Sequence, residues 1–421
     1  MFRRSQLAGG VTSQALSSVS NFLLVVAVAR TSDPREFGGF AIVYSVSLVL
    51  LGVGRGLVGE ALSIVGFDHT DSLSGARRLP ITSGLFVGMT TGICMVLAGF
   101  LLGGTALGQP LIAFGVCLPF VLAQDATRFV GFASGTAGLA VRSDALVLIA
   151  QISIFAVLFT RDVRTATVFV LAWGLSALMG AVLSMPSEFA QLKPRDVRWL
   201  RTNSWLGRRL AAEFGVGSGA THLTLYITGA VAGLASAGAL RGAESLYGPL
   251  NSMLTGLQSV LLPAATQAQL SRSQSPTRLG LSIGASFAVL AVAAAAVLSL
   301  VPDAVGTALL GATWEAAADV LLPLGVMYTA TAVLRGMLIA LKASQQASAA
   351  LLVRSASGLL VVILGTTGVI FQGVQGAAYG MAAAQIAGAL FAVAISAKAP
   401  NAGIRSQHGT TDSGDTKPGP E

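Results

Sequence analysis

Eight ionisable side chains fall where the neighbouring sequence is apolar enough to lie in a bilayer: Arg55, Asp125, Arg128, Glu213, His222, Arg241, Glu244 and Arg335. A charge in a membrane span is costly, so it faces a partner or a water-filled cavity. Asp125 and Arg128 stand three residues apart, as do Arg241 and Glu244. Each pair can neutralise itself on one helix face, which is a structural role. If the pairs face a cavity instead, Arg128 and Arg241 become contacts for an anionic substrate, and Asp125 and Glu244 sites for a coupling ion or proton. Arg55 has Leu51, Gly52, Val58 and Gly59 at helical spacing, and Arg335 has Thr331, Ala332, Leu338 and Ile339. Neither finds an acid at that spacing, so each needs a partner from another helix or a ligand. A guanidinium suits a diphosphate because its planar fork bonds two oxygens at once. Arg335 lies near a helix end, where a long side chain can also snorkel to water. Glu213 lies near an inner helix end and His222 inside a span; both are candidate proton sites, with a solvated carboxylate and a hydrogen-bonded packing histidine as the plainer readings. Gln14, Asn21, Gln124, Gln151, Asn251 and Gln258 can line a sugar path or hold helices together.

Other chemistry is missing from the sequence. Gly54, Gly56 and Gly59 match the spacing G-x-G-x-x-G, but the match needs a strand, a turn and a helix start, and here it sits inside a span. There is no G-x-x-x-x-G-K-[ST] loop, no H-E-x-x-H and no paired aspartates for a metal and a sugar nucleotide. No loop is long enough for a catalytic domain. The chain therefore reads as a non-enzyme without metal or cofactor. Cys94 and Cys117 lie in apolar runs and read as small core residues.

The elements that must hold these charges are membrane helices. Charged residues make up 10% of the chain and hydrophobic residues 53%, whereas a soluble domain carries roughly 25% charged residues. Apolar runs near the ~20 residues needed to cross a bilayer recur throughout, and in lipid such runs are helical because every backbone group must be satisfied within the segment. Twelve spans are expected, at about 8–30, 37–61, 81–104, 109–132, 142–160, 165–185, 209–234, 238–263, 279–301, 316–341, 347–371 and 374–397. Met1-Phe2-Arg3-Arg4 leads into the first span without a cleavage site, so no signal peptide is expected. Arg30, Arg35, Arg161, Arg164 and Arg241 are the only cations assigned outside; apart from Arg55 and Arg335, the others fall at inner segments and helix ends, which puts both termini in the cytoplasm.

The expected fold is an all-α polytopic membrane protein with about twelve transmembrane helices in two six-helix bundles around a central cavity. Residues 1–185 form the first bundle, 186–208 a basic cytoplasmic linker, 209–397 the second bundle and 398–421 a disordered cytoplasmic tail. The linker carries Lys193, Arg195, Arg198, Arg201 and Arg208, with Arg209 at its edge; Leu192, Trp199 and Trp205 among them suggest either a short helix lying on lipid headgroups or a solvated basic loop. The halves share a pattern, Leu118-Pro119 before Arg128 and Leu322-Pro323 before Arg335, as in transporters with parallel repeats. Four-residue glycine spacings, such as Gly52/Gly56, Gly84/Gly88/Gly92 and Gly376/Gly380, read as helix packing.

The first hairpin, Ala29-Arg30-Thr31-Ser32-Asp33-Pro34-Arg35-Glu36-Phe37-Gly38-Gly39-Phe40, resembles that of the polysaccharide-export (Wzx-type) flippases of the multidrug/oligosaccharidyl-lipid/polysaccharide exporter superfamily. The twelve-span plan, the basic linker and the lead-in Leu309-Leu310-Gly311 to Trp314 agree with that resemblance. It implies movement of a polyprenyl-diphosphate-linked oligosaccharide from the inner to the outer leaflet of a bacterial plasma membrane for cell-envelope assembly. The implied partners are the lipid-linked glycan, the bilayer and a polysaccharide polymerase or other glycan-assembly proteins, with no nucleic acid. The alternatives are a cation-coupled multidrug antiporter of the same superfamily and a non-transporting member of a glycan-assembly complex. The topology can be tested directly. With Cys94 and Cys117 replaced by alanine, cysteines at Thr202 and Ser406 should resist a membrane-impermeant thiol reagent in intact spheroplasts; labelling of either from outside would reverse the orientation.

Overall fold

The computed structural model describes residues 4–67, 73–272 and 275–398. The tail beyond 398 lies outside the described residues. Among them the chain is helical throughout, and nine helices are long and apolar enough to cross a membrane. One of these, Ser348–Lys398, breaks at Gln372 and Gly373, where Gly373 takes a φ of 59°. It is two antiparallel helices, α11 (347–371) and α12 (374–398). In the first half α1 is Arg4–Thr31, α2 Pro34–Val65, α3 Leu73–Leu101, α4 Gly108–Ala133, α5 Ala137–Thr160 and α6 Ala166–Ser184. In the second, α7 is Ser204–Val231, α8 runs in two segments, Leu234–Leu246 and Gly248–Arg272, α9 is Pro276–Ser299 and α10 is Trp314–Ala343. These follow the twelve expected spans in order, and α7 begins about a turn early. They form two six-helix bundles. The least apolar helices, α1, α7 and α8, all contribute to the face where the halves meet.

Glycine sets the spacing within each half. A Cβ on Gly88 would lie 2.5 Å from the Pro119 Cα, and one on Gly92 2.3 Å from the Gly115 carbonyl oxygen, so α3 and α4 touch backbone to backbone. The second half repeats this at α9 and α10: a Cβ on Gly336 would stand 2.3 Å from the Gly284 nitrogen. Pro119 and Pro323 sit inside α4 and α10, in the helix that receives the glycine neighbour in each half. In lipid, where apolar surface gains nothing from leaving water, such close approach is what holds helices together.

The seam between the halves uses the same device. The hairpin motif caps α2: Asp33 accepts from the Arg35 and Glu36 backbone N–H groups at 2.8 Å each, and the Asp33 N–H reaches back to Glu36. Capping aims Phe37, Phe40 and Tyr44 into a buried aromatic stack with Phe114 and Trp173. It also turns Gly38 onto the start of α8, where a Cβ would fall 1.8 Å from the Leu234 carbonyl oxygen. Beside it, Gly311 adopts a φ of 57° after the short helix Asp303–Leu310 and packs on the Ala29 carbonyl. Farther along, α2 meets α7 through Gly52 against Phe214, Gly56 against Ala211 and Leu57 against Gly207. The G-x-G-x-x-G match is thus packing: Gly54 meets Leu122, Gly56 meets Ala211 and Gly59 meets Phe129.

The linker departs from expectation. It does not lie out as one surface helix. It folds in three short turns, Pro186–Ala190, Pro194–Val197 and Arg198–Thr202. Buried Asp196 pairs with Arg78 of α3 at 2.5 Å, and Trp199 turns inward onto Val58, Leu62, Leu79 and Met185. An available counterion and an apolar pocket outcompete the lipid surface. Trp205, at the start of α7, stays exposed with Arg209 over its ring.

Replacing Gly88 with alanine should cost about 1–3 kcal/mol through overpacking against Pro119. Gly10→Ala, at a site with nothing within 4 Å, should be neutral or stabilise by about 0.5–1 kcal/mol. Thermal unfolding in detergent compares the two, and equal melting temperatures would refute the packing role.

Candidate functional site

The site is built on α2. Residues Arg55–Glu60 form a π-helical stretch, with Gly56 and Gly59 where α7 and α4 press on the backbone. π-turns are uncommon and collect at functional positions. Arg55 opens the stretch and points at α4. Its Nε donates to both carboxylate oxygens of Asp125 at 3.0 Å, and its Nη2 donates to Oδ1 at 2.8 Å. The partner that Arg55 lacks on its own helix is Asp125.

Asp125 is shared. Its Oδ1 also accepts from Arg128 Nη1, one turn along α4, at 3.1 Å. Arg128 then pairs through Nε with Asp144 of α5 at 3.0 Å. Ser13 of α1 donates a short hydrogen bond to Asp144 and accepts from Arg128 at 3.3 Å, and Gln124 Nε2 donates to Asp144 at 2.9 Å. The helix-local pair Asp125–Arg128 is therefore half of a four-charge cluster, Arg55–Asp125–Arg128–Asp144, with no net charge. Arg128, Asp125 and Asp144 are almost wholly buried; the Arg55 side chain keeps 30% of its surface. Breaking such a buried network is costly because it strands a charge in a low-dielectric interior.

Beside the cluster lies a cavity of about 40 Å³, lined by Ser17, Ser20 and Asn21 of α1, Arg55 of α2, Asp125 of α4, Asp144 of α5 and Trp173 of α6 among others. That is room for ordered water and too little for a lipid headgroup. A second cavity of about 240 Å³, mostly apolar, separates α1 from α8; Val11, Val19, Phe22 and Met253 line it. The Ser18 and Ser252 hydroxyls meet at 2.5 Å beside it, between the halves.

The second half places its charges differently. Arg241 of α8 pairs with Glu244 at 3.3 Å and lies 5.0 Å from the Tyr44 ring centroid of α2, a cation–π contact across the seam. His222 of α7 exchanges a 2.5 Å hydrogen bond with the Ser45 hydroxyl, also across the seam. Arg335 of α10 does not snorkel out alone. Its Nη2 donates to Asn251 Oδ1 at 2.6 Å and its Nη1 to Thr255 Oγ1 at 3.4 Å. Those two residues flank Ser252, which reaches α1. Arg335 has no acidic partner among the described residues. The Glu213 side chain lies outside them.

The sequence-predicted residues thus separate into three groups: Arg55, Asp125 and Arg128 in one cluster, Arg241, Glu244 and His222 along the seam, and Arg335 apart. Asp144 escaped sequence reasoning because Arg142-Ser143-Asp144 reads as a solvated helix end. The signal was in α1, where Ser13, Ser17, Ser20 and Asn21 recur at helical spacing and mark a polar stripe that needs buried partners. Of the polar candidates, Gln124 and Asn251 hold charges, Asn21 lines the first cavity and Gln14 the second, and Gln151 bonds Ser20 as helix glue.

No protein-family model matches the sequence, and no curated protein matches it. Solved structures do. An inward-facing multidrug resistance MATE family transporter of the MOP superfamily superposes with a TM-score of 0.70 at 14% identity, over 91% of this chain and 94% of that one. The lipid II flippase MurJ in an inward closed conformation gives 0.68 at 10% identity, over 92% and 87%. The outward-facing form of a MATE family transporter gives 0.57 at 13% identity, over 93% and 94%. The chain has the fold of these transporters, and it superposes better on the inward-facing than on the outward-facing form.

Charge matching in the cluster is testable by stability. Arg128→Met leaves Asp144 with neutral partners only and should cost about 3–5 kcal/mol. Adding Asp144→Asn should return most of that loss in thermal unfolding. A double variant as unstable as the single one would assign Arg128 to packing.

Proposed function

We propose that the protein is a flippase that carries a polyprenyl-diphosphate-linked oligosaccharide from the inner to the outer leaflet of a bacterial plasma membrane, with both termini and the linker in the cytoplasm. The observation that carries this reading is the balance of charge. The buried carboxylates of the spans, Asp125, Asp144 and Glu244, each face an arginine, while Arg335 has only neutral partners among the described residues. A site left with a spare cation suits an anion. The hairpin resemblance and the likeness to a lipid II flippase support the same class.

The physical task is to move a charged, hydrated headgroup through a slab where its desolvation is prohibitive. Arginines of both halves would hold the diphosphate by two-pronged hydrogen bonds, and the isoprenoid tail would stay in lipid. Rocking of residues 1–185 against 209–397 would turn the cavity from one leaflet to the other. Seam contacts that end on neutral hydrogen bonds and glycine backbones, such as Ser45–His222 and Ser18–Ser252, can part without stranding a charge. The multidrug antiporter is the second reading, favoured by the likeness to a MATE family transporter. A cationic drug calls for a bare carboxylate, and the buried span carboxylates among the described residues are occupied.

Arg335→Ala should lower export by about tenfold or more, the worth of one charge-assisted hydrogen bond to a phosphate oxygen. Arg335→Lys should recover part, because it keeps the charge and loses the fork. Arg55→Ala should lower export as well. The assay is inner-leaflet accumulation of the lipid-linked glycan, read against protein abundance. Full export by Arg335→Ala and Arg55→Ala at normal abundance would overturn the anionic-substrate reading.

A further inference from the structure

We infer that Asp125 acts as a resident competitor for Arg55, and so sets the charge a ligand must carry to enter the site. The inference rests on the flippase reading above. Arg55 is the cluster member with substantial exposed surface, yet its inner edge is spent on Asp125, and the cavity beside it, about 40 Å³, is too small for a headgroup. An anion reaching Arg55 must displace a carboxylate from the guanidinium.

The geometry permits that exchange without disturbing the remaining cluster. Asp125 Oδ1 keeps its 3.1 Å bond to Arg128 when Arg55 leaves. Arg128 stays anchored by Asp144 and Ser13, and Asp144 by Ser13 and Gln124. Arg55 opens the π-helical stretch Arg55–Glu60, a segment where a change of helical register would swing its side chain.

Competition imposes a charge threshold. Exchanging one carboxylate for one monoanionic phosphodiester trades equal charges and gains little. A diphosphate brings more charge and more oxygens, so it gains on exchange. Asp125 would in this way exclude the abundant monoanionic phospholipids surrounding the protein while admitting a polyprenyl diphosphate. Asp125 is then a positioning residue that tunes selectivity through Arg55.

The test compares two probes, farnesyl diphosphate and short-chain phosphatidylglycerol, titrated by calorimetry against the full-length protein in neutral detergent. Wild type should bind the diphosphate in preference. Asp125→Asn, which keeps the shape and removes the charge, should bind phosphatidylglycerol about tenfold tighter, the scale of one released charge-assisted hydrogen bond, and so carry a monoanion past the threshold. Adding Arg55→Ala should erase that gain. Asp162→Asn removes an equal charge from an exposed loop outside the site, where Asp162 pairs with Arg164, and should leave the affinity for phosphatidylglycerol within about twofold of wild type. A structural role for Asp125 would weaken both probes alike. An unchanged or weaker affinity for phosphatidylglycerol in Asp125→Asn, or an equal gain in Asp162→Asn, would overturn the inference while the flippase reading stood. No diphosphate binding by wild type or Asp125→Asn would overturn the flippase reading, and this inference with it.

Discussion

A charge carried into a membrane bundle must be matched there, since water is not at hand to match it, and much of this structure follows from how Asp125 meets that demand. One carboxylate on α4 binds an arginine on its own helix and an arginine on α2. That shared contact ties the π-helical stretch of α2 to the middle of the first half. It also requires a second acid, because two arginines cannot be neutralised by one aspartate. Asp144 on α5 supplies it, and Ser13 of α1 completes its hydrogen bonding. Four helices of the first half are therefore held in register by one ionic cluster.

The two halves are joined on different terms. Within a half, helices lock through glycine contacts and through charge. Between halves, glycines bring backbones together at Gly38 and Leu234 and at Gly56 and Ala211, and the polar contacts join neutral groups or a cation to a ring. Hydroxyl to hydroxyl at Ser18 and Ser252, hydroxyl to imidazole at Ser45 and His222, and guanidinium to ring at Arg241 and Tyr44 are each separable. Among the described residues, Arg55, Arg128 and Arg241 each pair with an acid of their own half. Parting the halves leaves those pairs intact, whereas parting α2 from α4 would break one. The seam is the weak plane of the molecule and the cluster its rigid part, which is the division that rigid-body rocking requires.

The fold was legible in the sequence because its cause is local. Hydrophobic length alone dictates a membrane helix, so the spans fell where apolar runs fell, and the Gly84/Gly88/Gly92 row proved to be packing. The hairpin residues were also legible as a unit, since Asp33, Pro34 and Glu36 cap a helix by their own chemistry. The site was legible only by residue type. Arg55, Asp125 and Arg128 were singled out for their cost, but that Arg55 and Asp125 belong together depends on which helices cross, and periodicity carries no such information. Asp144 was hidden for the same reason: a carboxylate near a helix end looks solvated until α1 is laid over it. The linker misled in the opposite sense. Trp199 and its cationic neighbours have the composition of a surface helix, and only the third dimension reveals Arg78 waiting for Asp196.

The halves resemble each other in packing and differ in charge, and on the flippase reading that difference has a use. Glycine pairs α3 with α4 and α9 with α10, so the frame is repeated. The repeat stops at the arginines. Arg128 is enclosed by two aspartates, while Arg335 is held by an amide and a hydroxyl. A frame with both sites neutralised would bind an anion at neither, and one with both bare would bear two unmatched charges at rest. Neutral partners on Arg335 keep one cation oriented and open to a ligand, and the second cation is released from Asp125 only when an anion has come to take its place. The attraction is then spent where the substrate is present, and the empty cleft stays close to neutral as the halves move.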